Sequence, residues 1–373
     1  MSLVFNNNQN SPQTHVFIVG VGKYDYLKDG INAIKQQFGF LNQLGQLSSP
    51  GKSAAAFYSA VMEFHEKNCW LAPLGSIELL MDEDSAPSAC DVPTRDNFEQ
   101  AYWEWRDRCE LNTDNIAIFY FSGHGFTKID KQYLALGDFG ENPRNPWKGC
   151  VSITDTRTAF HGCKASKQVF LIDACRNVPP ETLLNNFDCG SVDTISHMQT
   201  TCKHDLTLYA AAPNESAFGR MGEVSYFTTA MLNGLTGLAA SNDAEVDGDR
   251  WLVNTGNLST GINKWMAKLT NTEVGKSRCD SRINSPFDML ALAEPPLVDL
   301  LVDCDPAPAL AHAELECSNE YDRHTRDPKQ EPWAVVVKAG LYRISASFPG
   351  EQYKPAFLIR SVRPPNSSFK LTV

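Results

Sequence analysis

Two short motifs in this chain would pair a nucleophile with a base. Phe121-Ser-Gly-His-Gly125 sets His124 between two glycines, and Asp173-Ala-Cys-Arg176 sets Cys175 51 residues downstream of that histidine. A thiol attacks a carbonyl as the thiolate, so at neutral pH it needs a base or a positive neighbour, and an imidazole supplies one. Glycine on both sides of His124 permits close backbone approach and dihedrals that a core histidine would not need. Each motif alone has an ordinary explanation. A cysteine after a strand is commonly buried filler, and a histidine among glycines is commonly a turn residue. Together they point to a thiol nucleophile activated by a histidine, provided the fold brings them to one place.

The elements that carry them are suited to that. Ile116-Ala-Ile-Phe-Tyr-Phe121 is almost continuously apolar and reads as a buried strand running into His124; Gln168-Val-Phe-Leu-Ile-Asp173 reads as another running into Cys175. His15–Gly20, Ile77–Met81 and Thr207–Ala212 read as three more strands. Between them, Ala55, Ala56, Tyr58, Ser59 and Met62 suit an amphipathic helix over 52–67. Thr94 suits an N-cap, followed by an apolar stripe of Phe98, Ala101, Tyr102, Trp105 and Cys109 from which Trp103 departs. Further helices are predicted at 154–163, 225–238 and 256–269. Strands alternating with helices predict an α/β fold with a parallel-rich sheet covered by helices on both faces. Sites in such sheets form beyond the carboxyl ends of strands, and neighbouring strands lie about 4.8 Å apart, so residues just past two adjacent ends can meet.

Residues 22–50 are polar and glycine-rich and read as a long loop. After Glu294-Pro-Pro296 the pattern changes to short strands at Val298–Val302, Trp333–Val337, Tyr342–Phe348, Phe357–Ile359 and Phe369–Val373. The expected organisation is therefore a tail over 1–14, a catalytic domain over 15–294 and a small all-β, sandwich-like domain over 297–373.

Composition narrows the partners. The chain has 373 residues, 42% hydrophobic and 21% charged, which suits a packed globular protein rather than a disordered one. With 44 acidic against 33 basic side chains the net charge is −11, which argues against nucleic acid and mildly favours basic ligands, although much of the excess is solvated surface. Met1–His15 has no basic start leading into an apolar run, and no stretch approaches 18 apolar residues, so a cytoplasmic protein with no membrane partner is expected. Eleven scattered cysteines without a CxxC pair are expected to be reduced. His161 and Cys163 lack a second ligand pair, so no metal is expected.

Gly20-Val-Gly22 lacks the third glycine of a dinucleotide loop, since Asp25 stands there, and Gly51-Lys-Ser53 lacks the earlier glycine of a phosphate loop, since Gln46 stands there. Asp243–Asp249 resembles the start of a calcium loop, but its closing position is Asn254, so a solvated acidic turn is preferred to bound calcium and no cofactor is expected.

The paired motifs resemble the caspase-like cysteine peptidases, nearer to metacaspases and their prokaryotic relatives than to animal caspases. The resemblance covers residues 15–293 and includes Leu47-Ser-Ser-Pro-Gly-Lys-Ser-Ala54, Tyr209-Ala-Ala-Ala-Pro-Asn-Glu-Ser-Ala217 and Tyr226-Phe-Thr-Thr229. It implies that Cys175 is the nucleophile of an endopeptidase and His124 the general base and later acid. It further implies an oxyanion hole formed by the backbone N–H groups of Gly125 and Cys175, and no compulsory third residue, since a backbone carbonyl can orient the imidazole. Asp173 and Asn177 stand where animal caspases have Gln and Gly. An acid two residues before the nucleophile projects to the same face and resembles the metacaspase pocket for a basic Arg or Lys at P1; its plainer role is to brace a loop. Ser53 stands where metacaspases place a second pocket Asp, and the resemblance implies that it lines the substrate pocket with Asp173. The resemblance implies a protein substrate and a zymogen cut, by itself or by an upstream activating protease, within the connection Arg176–Asp205. Lys203 is the internal basic site there; a tolerated surface insertion is the other reading. Prokaryotic relatives serve in regulated cell death or antiviral defence. Two other classes stay open: a catalytically degenerate binding or scaffold protein, and an acyl-transfer ligase using the same dyad.

Overall fold

The computed structural model describes residues 2–7, 9–82, 86, 90–178, 189–193, 201–217, 219–242, 250–269 and 278–373. The chain divides into two compact units, Met1–Leu232 with Ile262–Met289, and Asn233–Gly261 with Leu290–Val373.

In chain order the first unit contains strands β1 (Leu3–Asn6) and β2 (Thr14–Gly20), helix α1 (Pro50–Glu66), β3 (Leu74–Met81), α2 (Arg95–Cys109) and β4 (Ile116–Gly123). A small sheet follows, of β5 (Gly125–Lys128), β6 (Lys131–Ala135) and β7 (Cys150–Ser152). Then come α3 (Ile153–Phe160), β8 (Lys167–Ala174), β9 (His204–Tyr209) and α4 (Tyr226–Asn233). Strands β10 (Ala240–Ser241) and β11 (Trp251–Asn254) follow in the second unit, helix α5 (Thr255–Leu269) and strand β13 (Asp288–Leu292) each have residues in both units, and β12 (Asp280–Asn284) lies in the first. The central sheet has the order β1-β3-β2-β4-β8-β9-β12. Its five inner strands are parallel, and β1 and β12 pair antiparallel at the two edges.

The inner strands are apolar because both faces are covered. Every residue of β2, β3 and β4 is buried. Successive side chains on a strand point to opposite faces, and β4 shows both. Tyr120 stacks on Phe57 of α1 with ring centroids 4.7 Å apart, while Phe119 packs on Phe17, Phe98 and Trp105 on the α2 side. Trp105 in turn stacks on Phe160 at 4.5 Å. A side chain at Gly20 would bring its Cβ to 2.7 Å from that of Ala54, so glycine there lets α1 lie directly on β2. Thr94 caps α2 by accepting the Asn97 amide at 3.4 Å, and the expected stripe on α2 is the buried face.

Several bounds differ from expectation. The fifth strand is His204–Tyr209, three residues early, because Ala210 and Ala211 continue the apolar run as buried chain beyond the strand. Helix α3 stops at Phe160, and α4 stops at Asn233, where the chain continues as a wider π turn over Gly234–Leu238 with Gly237 at φ 144°. β1, within the stretch read as a tail, and β12 are half-exposed edge strands; β1 is only four residues long, and polar residues hide the pattern of β12.

In the second unit, β14 (Leu297–Asp305), β15 (Glu314–Ser318), β16 (Arg323–Arg326), β17 (Trp333–Lys338), β18 (Gly340–Ser347), β19 (Ala356–Val362) and β20 (Asn366–Thr372) form two sheets, β17-β14-β20 and β16-β15-β18-β19. The pairing is antiparallel except between β14 and β20, which run parallel. Val298, Leu300, Val302 and Cys304 on β14 and Tyr342, Ile344 and Ala346 on β18 are buried while their neighbours face outward, giving the one-sided sheets of a sandwich. β15 and β16 escaped the sequence reading because charged residues fill them.

Candidate active site

β4 and β8 are neighbours in a register that pairs Ser122 with Asp173 and Gly123 with Ala174, so His124 and Cys175 leave the sheet side by side. Both line one cleft of about 380 Å3, together with Asp173, Ser122, Leu47 and Ser225.

The His124 Nε2 lies 2.8 Å from the Gly45 carbonyl oxygen. A carbonyl only accepts, so Nε2 carries the hydrogen and Nδ1 is the basic nitrogen. The Tyr24 hydroxyl accepts the His124 backbone N–H at 2.7 Å, and its ring sits 4.7 Å from the imidazole. Burial lowers the His124 pKa and the Gly45 contact opposes this, so the ring is neutral at pH 7. At Cys175, the Ala217 amide donates to Sγ at 3.4 Å. Burial pushes the thiol up, opposed by Ala217 and Ser216 and reinforced by the charge of Asp173. Both directions favour the uncharged forms, a neutral imidazole and a neutral thiol, in the resting protein.

The Gly125 amide is placed by the β5–β6 ladder. The Ala135 amide donates to the His124 carbonyl at 3.0 Å, which makes Gly125 and Leu134 a non-hydrogen-bonded pair. The Gly125 N–H therefore faces away from β6, to the side on which the Thr127 amide meets the Asn177 carbonyl at 2.8 Å. That side is the chain leaving Cys175. A Cβ on residue 125 would stand 2.8 Å from that of Ala174, so glycine is required for this approach.

Asp173 is 4% exposed. Its Oδ2 accepts from the Ser225 hydroxyl, from Thr228 at 2.9 Å and from Ser122 at 3.4 Å. Burial raises its pKa and these hydroxyls oppose the rise. Ser53 is fully buried and lies behind the cleft wall rather than on it: its Oγ accepts the Ser225 amide at 3.0 Å, and Ser225 lines the cleft. Arg176 is held away from the cleft by Asp280 at 2.6 Å and by the Tyr209 ring, 4.3 Å from its guanidinium.

Lys203 is exposed and outside the cleft. Its amide and that of His204 donate to the Ser166 carbonyl at 2.9 and 3.0 Å, so the peptide bond after Lys203 is tied to the chain before β8. Pro179 and Pro180 in the same connection lie outside the described residues, as does the acidic turn Asp243–Asp249. Among the described residues no group of three or more His, Cys, Asp or Glu is arranged to hold a metal ion, and no helix is long and apolar enough to cross a membrane. All eleven cysteines are unbridged.

Gly45, Tyr24, Ala217, Ser225 and Thr228 complete the site and were not singled out from the sequence. Ala217 and Thr228 fall inside segments that carry the family resemblance. Gly45 contributes a backbone oxygen from the long loop and has no side-chain signature.

A model of the caspase domain matches residues 32–247. Uncharacterized protein y4kE of Sinorhizobium fredii is 26% identical over 234 residues, covering 59% of this chain and 67% of that protein. Metacaspase-2 of Trypanosoma brucei brucei is 26% identical over 147 residues, 39% of this chain and 37% of its own length. Metacaspase-3 of the same organism gives 26% over 147 residues, with 36% of its length covered. The match thus spans little more than a third of either metacaspase. The domain model, by contrast, takes in both strand-end motifs and more than half of the sequence, and the chain belongs to the caspase-domain family.

Proposed function

We propose that this protein is a cysteine endopeptidase with Cys175 as nucleophile and His124 as base. The observation that carries the reading is the register of β4 and β8, which delivers both residues to one cleft, with the imidazole held by a carbonyl on Nε2 so that Nδ1 can accept a proton.

Nδ1 takes the thiol proton as Sγ attacks the scissile carbonyl carbon. The carbonyl oxygen becomes an oxyanion facing the amides of Gly125 and Cys175, donors already oriented before charge develops. The C–N bond breaks as the imidazolium gives its proton to the leaving amine. His124 then deprotonates a water that attacks the thioester, releasing the acid and restoring the thiol. Asp173 supplies the negative charge of a pocket for Arg or Lys at P1; it is the one acid lining the cleft among the described residues, and the position of a second acid is Ser53, behind the wall. Processing of the 176–205 connection belongs to the same reading.

A fluorogenic panel with Arg, Lys, Asp and Leu at P1 tests it, with Cys175→Ala as the control. Turnover of the Arg and Lys members by wild type and of none by the variant is expected. Full turnover by Cys175→Ala would refute the nucleophile. Products joined to an added amine instead of to water would make the protein a ligase.

A further inference from the structure

Gln132 is a buried polar side chain next to this site whose role the dyad does not account for. It sits on β6 opposite Thr127 and is 1% exposed. Its Nε2 donates to the Cys175 carbonyl at 2.9 Å, and its Oε1 accepts from the Thr127 hydroxyl at 3.2 Å. Its own backbone amide, turned out of the β5–β6 ladder, donates to Thr154 Oγ1 at 2.9 Å. The amide orientation follows from chemistry: the Cys175 carbonyl can only accept, so the nitrogen must face it.

The same nitrogen lies against Gly125. A Cβ built on Gly125 would stand 2.8 Å from Gln132 Nε2 and 2.9 Å from the Cys175 carbonyl oxygen. One side chain therefore touches both residues whose amides face the reacting carbonyl. Together with the Thr127 amide on the Asn177 carbonyl, it ties the chain after the nucleophile to the hairpin that carries Gly125. The Cys175 N–H lies in the peptide plane shared with Ala174 of β8 and its carbonyl in the next plane, so fixing that carbonyl pins the second of the two planes that meet at the Cys175 Cα and limits how far the first can turn.

We infer that Gln132 is a positioning residue that sets the angle between the Gly125 and Cys175 amides and so shapes the oxyanion hole. The inference rests on the peptidase reading. It predicts that Gln132 matters where an oxyanion forms and not where the sulfur reacts without one. Alkylation of Cys175 by iodoacetamide is such a reaction, since it forms an S–C bond and releases iodide.

The test measures peptide kcat and KM, the iodoacetamide rate and the melting curve for wild type, Gln132→Leu and Gln132→Glu. For Gln132→Leu the expected result is a kcat lowered by roughly 100-fold, the size of a lost oxyanion contact. KM and the alkylation rate should stay within about threefold of wild type. Gln132→Glu is the second variant, should Leu not fold. Its carboxylate cannot donate to the Cys175 carbonyl and its protonated form can, so its kcat relative to wild type should rise as pH falls. An unchanged kcat in either folded variant overturns the inference. So does a parallel fall of kcat and alkylation, which marks general loss of structure, or a pH-independent Glu-to-wild-type ratio. A wild type that alkylates at Cys175 yet cleaves no peptide fails the peptidase reading itself and takes the inference with it.

Discussion

β4 and β14 are both central strands, yet they relate to water in opposite ways. Every residue of β4 is buried, while β14 alternates exposed and buried along its length. With helices on both faces, the side chains of the parallel sheet reach solvent only towards the strand ends, where His124 and Cys175 stand just beyond β4 and β8 and Ser122 and Asp173 are the last residues but one within them. The sandwich gives every second residue to solvent, as with Leu297, Asp299 and Leu301, and its outward side chains are spread over a face instead of converging. Doubly covered sheets concentrate chemistry at an edge, and one-sided sheets do not. Asp173 marks the boundary: it is still inside the sheet, and a buried carboxyl there requires its three hydroxyl partners.

The sharpest break would come at the strand ends. Cys175→Ala and His124→Ala should each lower peptide turnover by roughly 10⁴-fold or more, and the double variant should be no slower, because the pair acts as one unit. Stability should change by less than about 1 kcal/mol. Independent, additive losses would contradict a dyad.

A serine scan along the two strands tests the contrast directly. In β4 both Phe119→Ser and Tyr120→Ser should cost about 3–5 kcal/mol, since each vacates a packed face. In β14 the cost should alternate, large at Val302 and within about 0.5 kcal/mol at Leu301. Urea midpoints without that alternation would show that the outward face of β14 is covered.

At the boundary, Asp173→Ala should lower kcat/KM for Arg and Lys substrates by roughly 100-fold, as expected when one member of a buried charge pair is removed. It should also cost about 1–3 kcal/mol of stability through the hydroxyls left unpaired. Equal losses on every P1 residue would make Asp173 a brace alone.

The next effect is smaller. The amides flanking the bond after Lys203 are both bonded to Ser166. Opening them at about 1 kcal/mol each should make cleavage there roughly 30-fold slower than in a free peptide of the same sequence. Sequencing of new N-termini in wild type and Lys203→Ala checks this. A chain that stays intact at full activity removes processing at Lys203 from the mechanism.

The smallest effect is a displaced pH profile. Burial lowers the His124 pKa below its ordinary 6.5, so the base stays neutral further into acid and the acid limb of kcat/KM should have its midpoint under 6.5. Burial and Arg108 bring His15 down to about 4. The unfolded chain accepts these protons first, so stability present above pH 6.5 should decline as pH falls towards 4. A flat melting temperature across that window would exclude buried neutral histidines.

Local chemistry in the sequence determined the strands that end at His124 and Cys175, the glycines on either side of His124, the cap at Thr94 and the strand over Val298–Val302. Each depends on side-chain type at short spacing. The tertiary structure alone decided which backbone atoms meet those side chains. The Gly45 carbonyl on His124, the Ala217 amide on Cys175 and the outward N–H of Gly125 come from groups that every residue carries, so no residue type announces them. Ser53 and Gln132 were decided in the same way. A buried hydroxyl or amide takes its role from whichever partner the fold sets within hydrogen-bond reach. Those partners, Ser225 for one and the Cys175 carbonyl for the other, lie far along the chain.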